Sequence, residues 1–216
     1  MTSPGVYLDA NVFKFAASEL RRFVPEETHL TWGSHEITVD VHRLEQIDPN
    51  DSIKSPSLKD EAFLLKRVAE LAVLGRIRCY VQVETQLEVW GLPNMDSESG
   101  LFYGAEIHEV DAPIQYDRVI AVAFRDSHEI QFDFLCSIDH PRFLELQRVT
   151  GAFQGLRPPN RNQLLDAWHL WCAEGCAATH FLTLDSKLAR LCAGHRSRPR
   201  VRVVLPAQLL GELDAA

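Results

Sequence analysis

Two kinds of apolar pattern alternate along the chain. Short, almost continuously apolar runs read as buried strands, and longer stretches with helical spacing separate them. Val6 to Leu8 is the first such run, and it stops at Asp9-Ala10-Asn11 before a helix-compatible stretch through Leu20. From Thr28 to Ile47 the spacing changes. Leu30 to Val41 predicts a hairpin, with β-branched and aromatic residues on both sides of Gly33-Ser34. After a polar link from Asp48 to Pro56, Ser57 reads as a helix N-cap. Phe63, Leu64, Val68, Leu71 and Leu74 form an apolar stripe that ends at Gly75. Ile77 to Val83 predicts a strand that feeds a helix over Glu84 to Trp90.

The middle of the chain is less patterned. Pro93 to Gly104 reads as loop, Tyr116 to Arg125 fits either helix or strand, and Pro141 to Thr150 predicts a helix with proline in its first turn. Beyond the linker Leu156 to Asn160, a helix is expected over Asn162 to Glu174 and a strand over His180 to Leu184. A short helix over Ser186 to Cys192, a strand over Val201 to Leu205 and a helix over Ala207 to Leu213 complete the pattern. Strands alternating with helices predict an α/β fold: a three-layer α/β/α arrangement around a mainly parallel sheet. Residues 1–216 fit a single domain, with the hairpin and extra helices as elaborations.

Composition narrows the function. The net charge of −8 argues against a broadly basic surface that grips nucleic acid by counterion release. Five cysteines without small-scaffold spacing suit free thiols in a reducing compartment. The N-terminus shows no basic-then-apolar signal, and no apolar run approaches the ~20 residues of a membrane span, so a cytoplasmic protein without membrane contact is expected.

The candidate chemistry lies in carboxylates. In an open parallel sheet the loops at the carboxyl ends of the strands meet at one edge. Asp9 and Asp185 follow strands directly. Asp166 sits near the start of the helix that leads to the second of those strands. Glu84 and Glu88 open the helix after Val83, one turn apart. Two like charges ~4 Å apart repel by about 4 kcal/mol at an effective dielectric near 20. A Mg²⁺ or Mn²⁺ ion relieves such repulsion and suits hard oxygen ligands. Each acid alone is as readily explained as a helix cap or a dipole partner, so the weight rests on their joint placement.

Val6-Tyr7-Leu8-Asp9-Ala10-Asn11, Gln86-Leu87-Glu88-Val89, the helix from Leu165-Asp166 to Cys176, Thr179 to Leu188, and Val201 to Pro206 together resemble the PIN-domain family. About half the chain carries the resemblance, and residues of about 20–75 and 91–160 fall outside it as insertions. The resemblance implies a PIN-like, Mg²⁺- or Mn²⁺-dependent endoribonuclease, with RNA as substrate and an antitoxin-like protein or a processing complex as possible partner. It implies Asp9, Glu88, Asp166 and Asp185 as catalytic metal and water ligands, with Asn11 and Thr183 orienting them from behind. Glu84 is the competing glutamate beside the strand end. The alternative from another class is a catalytically silent PIN-like module that binds RNA or a protein.

Other constellations are weaker. His169, Cys172, Cys176 and His180 have zinc-like spacing, but Gly175 interrupts the helix and packing explains the cysteines. Asn11 stands where a dehalogenase-like phosphatase needs a second aspartate, and no phosphate-binding glycine loop is present. Arg196, Arg198 and Arg200 are candidate RNA phosphate contacts. Arg21-Arg22, and the base-stacking candidates Trp32 and Trp90, are less favoured.

Overall fold

The computed structural model describes residues 3–16, 20–33, 35–47, 53–90, 100–117, 127–153 and 159–215. In chain order the elements are β1 (Gly5–Leu8), α1 (Ala10–Phe15), β2 (Leu20–Trp32), β3 (His35–Ile47), α2 (Pro56–Val73), β4 (Arg78–Val81), α3 (Val83–Trp90) and β5 (Ile107–Glu109). They continue as α4 (Ser127–Ser137), α5 (Pro141–Thr150), α6 (Arg161–Gly175), β6 (His180–Leu182), α7 (Ser186–Gly194), β7 (Arg202–Val204) and α8 (Pro206–Asp214).

Five strands form one parallel sheet in the order β5-β4-β1-β6-β7. The strands are short and apolar because both faces of a parallel sheet are covered. Alternation along each strand divides the side chains between two cores. Tyr7, Tyr80 and Phe181 point to one face and pack with α5, α6 and α7 through Phe143, Leu146, Trp168 and Leu188. Val6, Leu8, Cys79, Val81 and Leu182 point to the other, against Val12 of α1, Leu65 and Val68 of α2, and Leu209 of α8. β1 sits at the centre of the sheet, and Gly5 begins it because a Cβ there would run into the Ala177 carbonyl oxygen and the Tyr80 ring.

The expected α/β alternation is present, with shifted boundaries. The first helix ends at Phe15, and Leu20 already belongs to β2. The hairpin spans 13 residues on each strand rather than only Leu30 to Val41, with Gly33 at its tip in the left-handed region (φ +64°). Ser55, not Ser57, is the N-cap of α2, its hydroxyl accepting from the Leu58 N–H at 3.4 Å. The strand expected to reach Val83 stops at Val81, since Val83 opens α3. β5 and α4 lie in the stretch where the pattern was weak. The helix-or-strand stretch Tyr116 to Arg125 falls outside the described residues after 117, as does most of the loop 93–104, the link 48–56 and the linker 156–160.

Candidate active site at the carboxyl edge of the sheet

The connections from β1 and β6 leave on opposite faces. After β1 the chain enters α1 and α2 in one helical layer, and after β6 it enters α7 in the other. Divergence of this kind opens a crevice at the carboxyl ends of two adjacent strands. Leu8 registers against Leu182, so Asp9 and Thr183 emerge from the sheet side by side.

Their side chains lock together. Thr183 Oγ1 donates to Asp9 Oδ2 at 2.7 Å, and Asn11 Nδ2 donates to the same oxygen at 2.7 Å. Asn11 Nδ2 also lies 2.9 Å from Thr183 Oγ1, and its Oδ1 accepts the Leu184 N–H at 2.9 Å. The Asp185 N–H reaches Thr183 Oγ1 at 3.0 Å. Asp9 occupies the N-cap position of α1, yet its side chain makes no capping bond. The capping explanation therefore fails for Asp9. It holds for Asp185, whose Oδ1 accepts the N–H groups of Lys187 and Leu188 at 2.8 and 3.0 Å.

Burial and mutual repulsion govern the acids here. Burial pushes the Asp9 carboxyl up to about 6, with nearby Glu88 adding to the rise and His169 and the Thr183 hydroxyl opposing it. Asp166, on α6, is pushed further, to about 8, first by burial and then by the charge of Asp9, with Asp185 and Glu88 contributing. The four acids thus share one electrostatic neighbourhood. Among the described residues, however, no three His, Cys, Asp or Glu side chains are gathered closely enough to hold a metal ion as they stand.

Glu88 is engaged with a histidine. Its Oε1 lies 2.8 Å from His169 Nε2, and the other ring nitrogen is 3.2 Å from Thr85 Oγ1 and 3.3 Å from the Tyr7 hydroxyl. Burial alone would lower the His169 pKa, but Glu88, by charge and hydrogen bond, and then Asp9 and Asp166 raise it above its usual value. His169 is therefore the histidine that faces the acids and holds Glu88, a role its zinc-or-packing reading missed. The available signal was its position three residues after Asp166, on the same face of α6. The zinc-like quartet does not assemble: His180 turns to Thr179 and to Glu212 at 3.0 Å, and no metal-holding group includes the cysteines among the described residues.

Glu84 sits elsewhere. It is buried, accepts from the Tyr116 hydroxyl at 2.8 Å and from Gln131 Nε2, and its own N–H bonds Gln82 Oε1 at 2.8 Å. These bonds tie α3 to α4 and to the segment before it. The arginines Arg196, Arg198 and Arg200 lie in the loop that enters β7, at the amino edge of the sheet and so across it from the aspartates. The side chains of Arg21, Arg22, Trp32 and Trp90 fall outside the described residues.

Comparison with protein-family models, with curated proteins and with solved structures finds no match to this chain. Fold and site define a class: an α/β protein with a five-stranded parallel sheet, helices on both faces, and a buried Asp9 beside a half-buried Asp166 and an exposed Asp185 at its carboxyl edge. Among the described residues no helix is long and apolar enough to cross a membrane.

Proposed function

We propose that the protein is a Mg²⁺- or Mn²⁺-dependent ribonuclease of the PIN type, hydrolysing RNA phosphodiesters at the carboxyl edge of its sheet. The observation that carries this reading is the fixed carboxylate at the ends of β1 and β6: Asn11 and Thr183 hold Asp9 there, within the electrostatic reach of Asp166. Both aspartates are driven by burial and by nearby acids to hold protons at unusually high pH, up to about 6 and about 8. Purely structural acids are normally paired with a cation or capped by donors. Strongly perturbed carboxyls in a crevice instead mark functional sites.

Carboxylates are the hard oxygen donors such a cation takes, and Asp9, Asp166 and Asp185 would hold it only after their side chains draw closer than they stand. When bound, such an ion activates water and offsets the charge developing on a phosphoryl oxygen. The chain's own residues do the rest. Asn11 and Thr183 fix the Asp9 carboxylate in one orientation from two directions. His169 holds Glu88 by its Nε2 and is itself steadied by Thr85 and Tyr7. Asp166 gives up its proton only toward pH 8, so cation affinity rises with pH through that range.

The engagement of Glu88 with His169 favours a second reading, a silent module that binds RNA or protein without cutting. One experiment separates the two. Single-stranded RNA incubated with the protein and Mn²⁺ should be cleaved to 5′-phosphate and 3′-hydroxyl ends, and EDTA should stop the reaction. Asp9→Asn should lower the rate ~100-fold or more while the protein keeps its melting temperature. RNA binding without cleavage at any Mn²⁺ concentration would leave the silent module.

A further inference from the structure

We propose that the β2–β3 ribbon is a self-association arm, through which two copies of the chain stack apolar face to apolar face about a two-fold axis. This inference is independent of the nuclease reading. The ribbon is two strands of 13 residues, paired in register from Leu20↔Ile47 to Trp32↔His35. Alternation puts Val24, Thr28 and Leu30 on one face with Ile37, Val39 and Val41 of the other strand. The opposite face carries Glu27, His29, Thr31, Glu36, Thr38, Asp40 and His42, with Pro25 and the exposed Phe23, set edge-on to His42, as its apolar members at the base.

That apolar face is uncovered: Leu30 is 51%, Ile37 46% and Val41 37% exposed. Among the described residues neither strand packs against any other element beyond marginal contact. A two-stranded hairpin alone is marginally stable in water, and continuous exposed apolar surface marks an interaction site.

Charge and size select the occupant. Positions 20–47 hold five acidic residues, Glu26, Glu27, Glu36, Asp40 and Glu45, against three arginines, so neither an RNA backbone nor an anionic membrane is attracted. On the apolar face itself acidic and basic positions balance, with Arg22 opposite Glu45 and Arg43 paired with Glu26 at 3.8 Å. A neutral apolar face is where two copies of charge −8 can meet without concentrating charge. Strands of 13 residues run about 44 Å, and a ribbon ~10 Å wide then covers on the order of 900 Å² in a stacked pair. That lies just under the roughly 1,000 Å² floor for a stable interface, the size of a weak, reversible dimer.

Sedimentation of the full chain from about 1 to about 200 µM tests this, together with hydrogen exchange at both ends of that range. The expected result is a monomer–dimer equilibrium in which exchange across residues 35–47 slows as concentration rises. Leu30→Lys with Ile37→Lys should weaken the dimer at least ~10-fold, whereas Thr31→Lys with Thr38→Lys, on the opposite face, should not. Equal melting temperatures in both double variants confirm that the body is intact. A monomer throughout the range overturns the proposal. So does a dimer indifferent to Leu30→Lys with Ile37→Lys, one lost equally in the control, or protection of the ribbon only when lipid vesicles or RNA are added.

Discussion

The two edges of the sheet handle buried charge in opposite ways. At the amino edge, Arg142 holds Glu174 with two parallel bonds of 2.8 and 2.7 Å and also meets Glu145 at 2.6 Å. Glu174 further accepts the Arg200 N–H, and Arg142 donates to the Arg198 carbonyl oxygen, which clamps the loop entering β7. The hydrogen bonds that Arg142 donates to Glu174 hold its guanidinium charged well above its usual range. Beside it, Glu212 serves both His180 and Arg202. At the carboxyl edge, Asp9 and Asp166 have acids for neighbours and one histidine facing them. Charge withdrawn from water has opposite consequences at the two edges: paired charges offset the cost of desolvation, whereas gathered like charges add to it.

The difference is sharpest where one partner of a buried pair is removed. Glu174→Gln leaves a part-buried guanidinium with Glu145 as its remaining carboxylate and should cost roughly 1–3 kcal/mol in urea unfolding. RNA cleavage per folded molecule should survive this change, because Glu174 lies across the sheet from Asp9. A loss of under ~1 kcal/mol would make the clamp no more than a surface pair.

The reverse sign is expected at the carboxyl edge. Asp166→Asn should stabilise the metal-free protein at pH 8 by roughly 2 kcal/mol or more. Below about pH 4 the carboxyl is protonated both folded and unfolded, so it makes no difference there. Between about 4 and 8 the unfolded chain loses the proton while the folded protein keeps it, so stability falls as pH rises and the slope ends above about 8. Asp9 adds to that slope only up to about 6. Urea unfolding at a series of pH values without metal should show the slope between 6 and 8 shrink in Asp166→Asn, to the part that His169 contributes. An unchanged slope would place its origin elsewhere.

The two glutamates of α3 repeat the contrast on a smaller scale. Glu84→Gln disturbs a buried carboxylate held by Tyr116 and Gln131 and should cost about 1–3 kcal/mol. Glu88→Gln removes a partly exposed partner of His169 and should cost about 1 kcal/mol or less. Its signature is titrational. With the Glu88 charge gone, burial should pull the His169 pKa down, readable from its imidazole NMR shifts against pH. An unmoved His169 titration would mean that Asp9 and Asp166 alone sustain it.

Much of this was legible in the chain. The apolar runs Val6 to Leu8 and Phe181-Leu182 mark strands because both faces of a central parallel strand are buried, whatever packs on them. Asp9 and Asp185 could be placed at strand ends for the same local reason, and Asn11 and Thr183 as their supports from positions two residues away. The full hairpin was harder to read, since its outer strand halves mix charged and apolar residues and bury little. Only the tertiary structure decided which charges meet. Glu84 and Glu88 share a helix face in sequence terms, yet one is enclosed by Tyr116 and Gln131, more than 30 positions away, and the other by His169, 81 positions away. Arg196, Arg198 and Arg200 follow Asp185 closely in the chain but stand across the sheet, because α7 carries the chain from one edge to the other. Periodicity and strand ends are local properties that burial imposes residue by residue. The partner of a charge is a property of where distant segments pack.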